Sequence, residues 1–182
     1  LGTATAQPSN SGDKKMLGNT SGTGKTCPDD VTASRATSPK KLTLLGVTCF
    51  KTKQYAQAYT FYHRAFQVQE SSLLMAAMGR SLHELGLYGV AEHYYRDFLE
   101  AESGSTTNKI ERRLTQLEED KQTSGRTVEL TSFPPNASVH VRLQNGDWVE
   151  LGQTPSPAML EAGRYTFAFE RDGYRRRTLD RH

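Results

Sequence analysis

The chain has 182 residues, 35% hydrophobic and 24% charged, with a net charge of +3 at pH 7. That length admits one domain or two small ones, and the apolar fraction suffices for compact domains over only part of the chain, so a polar tail is expected. Charges of both signs are interspersed, and the single dense basic run, Arg175-Arg176-Arg177, reads as a solvated strand end and excludes a broad nucleic-acid-binding face. No apolar run approaches the length of a membrane helix.

The chain opens LGTATAQ. Ala4-Thr5-Ala6 fits the small-x-small pattern of signal-peptide cleavage, so residues 1–6 read as the remnant of an export signal, and the protein as periplasmic or otherwise extracytoplasmic. A cytosolic chain shortened by proteolysis is the alternative. Residues 7–37 have linker composition, which makes 1–37 a polar tail. Within it, SGTGKTCPDD (Ser21 to Asp30) ends like a phosphate-binding loop, but Asn19 stands where the first glycine must be, and no apolar strand precedes it. No nucleotide, and no other cofactor, is expected.

Cys27 and Cys49 can pair in an oxidising compartment and pin the tail to the first helix. The competing reading, favoured by the general burial of cysteine, is a small buried Cys49 and a free thiol at Cys27.

From Pro39 the chain repeats itself. Gly46 matches Gly79, Tyr55 matches Tyr88, Ala58 matches Ala91 and Tyr62 matches Tyr95, each pair 33 positions apart. Leu42, Leu45 and Cys49 form an apolar stripe at helical spacing. Ser38-Pro39 marks a helix start, Gly46 and Ala58 a close helix crossing, and Lys53-Gln54 and Gly86-Leu87 the turns inside each pair. Residues Leu42, Leu45, Gly46, Tyr55, Ala58, Tyr62 and Ala65, then Met78, Gly79, Gly86, Tyr88, Ala91 and Tyr95, make this segment resemble the tetratricopeptide repeat. The period is one short of that family's, and the proline after the second helix is missing. TTNKIERRLTQLEEDKQ follows as a charged capping helix, with Asn108 as N-cap and Glu111 completing a capping box. Two repeats and a cap need support from a neighbouring domain or partner.

After a linker at 123–126 the period changes to two. Strands are expected over Thr127–Leu130, Val139–Leu143, Trp148–Leu151 and Tyr165–Phe169, and again after Asp172-Gly173, with a hairpin turn at Asn145-Gly146. The order of landmarks, Pro134-Pro135-Asn136-Ala137, Val139, Val141, Gly152-Gln153-Thr154-Pro155, Leu160, Gly163, Tyr165 and Gly173-Tyr174, is similar to the PEGA domain, a small bacterial β-sandwich. The expected fold is thus α+β: a tail over 1–37, tetratricopeptide-like hairpins over 38–122 and a PEGA-like sandwich over 127–182.

No catalytic motif or metal-ligand spacing occurs: His83-Glu84 is not followed by a second histidine, and the two cysteines lack a flanking pair. An enzyme with a small-molecule substrate is therefore not expected. The repeat resemblance implies a groove lined by the first helix of each pair, offering Thr43, Val47, Phe50, Ala76, Arg80 and His83 to a protein partner. Phe50 would anchor an apolar side chain and Arg80 a carboxylate, the alternative being packing against the chain's own tail. Val47 stands where the family's carboxylate clamp has asparagine, which argues against a chaperone adaptor. Trp148 serves either as an interaction anchor or as core. The expected function is a scaffold subunit of a larger cell-envelope or membrane-associated complex, gripping neighbouring subunits through tail, repeats and sandwich. The alternative is a cell-wall glycan module acting through Trp148 and Tyr165.

Overall fold

The computed structural model describes residues 26–28, 37–104 and 107–181; the processing signal, the phosphate-loop fragment at Gly24-Lys25 and most of the tail lie outside them. The fold is α+β: the described residues form five helices followed by antiparallel sheets. The helices are α1 (Pro39–Lys51), α2 (Tyr55–Val68), α3 (Ser72–Glu84), α4 (Tyr88–Ala101) and α5 (Thr107–Ser124). Each packs on its neighbours in the chain.

The repeat is legible atom by atom. Gln54 N donates to Cys49 O and Leu87 N donates to Leu82 O, both at 2.9 Å. Thr48 Oγ1 donates to Leu44 O, and Ser81 Oγ donates to Ala77 O one period later. The turns need a left-handed residue: Gly86 supplies it at φ 72°, while Lys53 adopts φ 61° without glycine's freedom. Pro39 occupies the first turn of α1 as expected, but the Ser38 side chain makes no capping bond.

Two boundaries differ from the sequence expectation. Asn108 is not the N-cap of α5: the helix already includes Thr107, whose hydroxyl donates to Gly104 O at 2.6 Å, so Asn108 lies in its first turn. Nor is there a linker at 123–126. The hydroxyls of Thr123 and Ser124 donate back to Glu119 O and Asp120 O at 2.8 and 3.0 Å and carry the helix to Ser124. The strand then begins at once, at Gly125, where a Cβ would lie 2.4 Å from Lys121 O.

Six strands follow: β1 (Gly125–Leu130), β2 (Ser138–Arg142), β3 (Trp148–Gln153), β4 (Ser156–Glu161), β5 (Tyr165–Glu170) and β6 (Arg177–Arg181). A two-stranded sheet, β1-β4, lies beside a four-stranded one in the order β3-β2-β5-β6. Strand β4 was not expected, because Pro157 interrupts the apolar run; it is tolerated since β4 has only β1 as a sheet neighbour. The residues after Asp172-Gly173 do return as a strand along β5.

Helices and sheets share one apolar cluster running from Leu42 to Phe167. Gly86 O accepts from Glu161 N at 2.7 Å, and Ser124 O accepts from Ala162 N at 3.2 Å. At the β2–β3 turn, Asn145 Nδ2 donates to Thr60 Oγ1 of α2 at 2.9 Å, and the Thr60 hydroxyl donates to the Asp147 carboxylate. The support that two repeats lack is thus supplied by the chain's own β half.

Candidate functional site

Helices α1, α3 and α5 present equivalent turns to one groove of about 310 Å3. Its floor is apolar: Val47 and Phe50 from α1, Ala76 and Ala77 from α3, Ile110 from α5, and the ring of Tyr62 from α2. Around that floor stand four cations, Lys51, Arg80, Lys109 and Arg113, and among the described residues no carboxylate lines the groove. The Arg80 guanidinium lies 4.1 Å from the centre of the Phe50 ring, a geometry in which the ring's negative face holds the cation while its outer N–H groups stay available.

Two tyrosines report the character of the floor. Burial pushes Tyr62 up to about 12, against the opposing pull of Arg80. Burial likewise raises Tyr95 to about 12, against Arg113 and Arg80; its hydroxyl is buried beside Arg113 without a well-formed hydrogen bond. Both phenols are neutral at physiological pH, so the four cations act uncompensated by them. Cations over a dehydrated apolar floor favour a ligand with carboxylates flanking an apolar side chain.

Of the residues singled out in the sequence, Val47, Phe50, Ala76 and Arg80 converge here. Thr43 does not: its hydroxyl donates to Pro39 O at 2.8 Å within α1. His83 does not either. Its Nε2 lies 2.8 Å from Asp120 Oδ2, and its ring meets those of Tyr88 and Tyr95 edge-on, so it fastens α5 to the second helix pair. Trp148 belongs to a different surface, half-buried on β3 with the guanidiniums of Arg176 and Arg142 at 4.5 and 5.9 Å from its ring. Tyr165 is on the opposite face of that sheet: Trp148 pairs with Arg142, whereas Tyr165 shares the side of its i+2 neighbour Phe167, which pairs with Val141. The two aromatics cannot form one glycan platform.

Lys51, Lys109, Ile110 and Arg113 were missed. The signal for three of them was present, since Val47, Arg80 and Arg113 are spaced by 33, and Lys109 and Ile110 follow Ala76 and Ala77 by the same 33. Carrying the period into the capping helix would have placed Lys109, Ile110 and Arg113 in the groove.

Cys27 is bonded to Cys49 in a disulfide, so the free-thiol reading gives way to the bridged one. Cys49 is fully buried on α1, and Cys27 packs against the same core. Among the described residues no group of metal-ligating side chains is assembled, and no helix is long and apolar enough to cross a membrane. No protein-family model matches the chain, and no curated protein matches it.

Proposed function

We propose that this chain is a non-enzymatic adaptor subunit that holds an extended, acidic and apolar segment of another protein in the groove between α1, α3 and α5. The observation that carries the reading is the lining itself: four cations around an apolar floor, with no carboxylate among the described residues that line it. Such a groove rewards one or two apolar anchors for burial and flanking carboxylates for charge pairing, which is how helical arrays select linear segments. In this reading the helices form a tetratricopeptide-type array and the sheets a PEGA-type sandwich that braces it. The protein works at the extracytoplasmic side of a membrane as a peripheral part of a larger assembly. The Cys27–Cys49 bridge supports that placement, since such bonds persist in oxidising compartments.

The test is site-specific photocrosslinking in native cells. A photoreactive residue replacing Ala76, in the groove, is compared with one replacing Leu73, exposed on the same helix and outside the lining. A discrete adduct with another protein from position 76 and not from 73 is expected. Adducts confined to the chain's own tail would replace the adaptor reading with a self-occupied groove.

A further inference from the structure

We propose that the end of the β-sandwich around Phe133 docks on an anionic lipid surface, with the Phe133 ring inserted and Arg175 and Arg177 set against lipid phosphates.

Phe133 is 100% exposed, the extreme among the large apolar side chains of the described residues. The loop that carries it is fastened. Ser132 Oγ donates to Pro134 O at 2.7 Å, and Arg171 donates to Pro135 O. Asn136 N donates to Thr154 O at 2.7 Å, and Ala137 N donates to the buried Thr154 hydroxyl at 3.0 Å. The ring is therefore held out in water by a built scaffold, at a hydration cost that folding alone does not recover.

The neighbouring sheet is incompletely covered. Leu179 pairs with Phe167 and so shares its inward face, but the four-stranded sheet is wider than the two-stranded one, and Leu179 remains 44% exposed at the β6 edge. Tyr174 is also exposed. Phe133, Phe169, Tyr174, Arg175 and Arg177, together with Glu170 and Arg171, line a recess of about 330 Å3. Of the local charges, Glu170 is paired with Arg176 at 2.8 Å, and Arg171 leans over the Tyr174 ring. Asp172 is the other acid of this stretch. Among the described residues no ion pair engages Arg175 or Arg177.

An aromatic tip beside guanidiniums that no described carboxylate pairs matches a headgroup phosphate with the start of its acyl chain. An acidic protein would satisfy the arginines, but it would also have to supply a pocket for a protruding ring; a bilayer interface needs none. The recess shares no residue with the helical groove, so both sites can be engaged together.

The experiment is co-sedimentation of the full chain with phosphatidylcholine vesicles, with and without phosphatidylglycerol. Binding is expected only to the anionic vesicles and should weaken as salt is raised. Phe133→Ser should lower the partition coefficient about tenfold, and Arg175→Gln/Arg177→Gln should remove the anionic preference. Both changes are at exposed positions, and unchanged thermal melts establish that each variant is folded. Failure to sediment with either vesicle, equal sedimentation with both, or variants that partition like the parent would each overturn the proposal. So would retention on an immobilised acidic polypeptide without any vesicle binding.

Discussion

Gly46 lies directly beneath the ring of Tyr62: a Cβ built there would sit 2.5 Å from Cε1. The equivalent pair in the second repeat, Gly79 and Tyr95, is looser at 3.0 Å. Alanine gains about 1 kcal/mol over glycine in a helix interior, while overpacking costs about 1–3 kcal/mol. At Gly46 the clash is with a buried ring and dominates, so Gly46→Ala should destabilise the fold by about 1–2 kcal/mol. At Gly79 the two effects nearly cancel. Urea unfolding followed by circular dichroism reads both, and equal losses would refute this ranking.

The Cys27–Cys49 bridge closes a loop with a sequence separation of 22. Restricting the unfolded chain by such a loop contributes about 3 kcal/mol. Reduction, or Cys27→Ser with Cys49→Ala, should lower the urea midpoint accordingly. The single change Cys49→Ala adds the loss of a buried side chain, so Cys27→Ser alone reports the bridge more cleanly.

His63 stacks on Tyr59 with ring centres 5.7 Å apart, and burial lowers its pKa despite the nearby Asp147 carboxylate. A histidine depressed in the folded state binds its proton more readily when unfolded. Its contribution is therefore complete above the unfolded value of about 6.5 and is lost as pH falls through the folded one. Thermal melts between pH 7.5 and pH 5 should show declining stability, with a shallower slope in His63→Gln.

Asn145 ties the β2–β3 turn to α2 through Thr60 and holds Asp147 with the same amide, at 2.9 Å in each case. Asn145→Ala should cost about 1 kcal/mol. It should also accelerate amide exchange over 143–147 and at Thr60, while leaving protected the separate contact of α4 with β4, where Gly89 packs against Met159. Exchange that rises throughout the β half would mean that this turn holds the two halves together by itself.

Much of the helical half was legible because its constraints are local and occur twice. A glycine at a crossing, a tyrosine above it and a turn residue recur at one fixed offset, and the physics that selects them is the same in both copies. The groove was half legible for the same reason: Val47 and Arg80 face it, and the period extends to Arg113. His83 misled because its position along α3 does not reveal Asp120, which arrives only when α5 packs. Strand β4 was hidden by Pro157, whose acceptability depends on β4 having a single sheet neighbour. The docking of Asn145 on Thr60 joins residues far apart in sequence, and no local pattern encodes such a meeting.

In the proposed reading the groove selects acidic, apolar segments. Its most direct test is fluorescence anisotropy with two labelled peptides, one carrying a leucine between glutamates and the other with lysines in their place. Salt-sensitive binding of the acidic peptide is expected, with its loss in Arg80→Glu/Arg113→Glu while the fold stays intact. Equal binding of both peptides, or unchanged affinity in the charge-reversed variant, would contradict it.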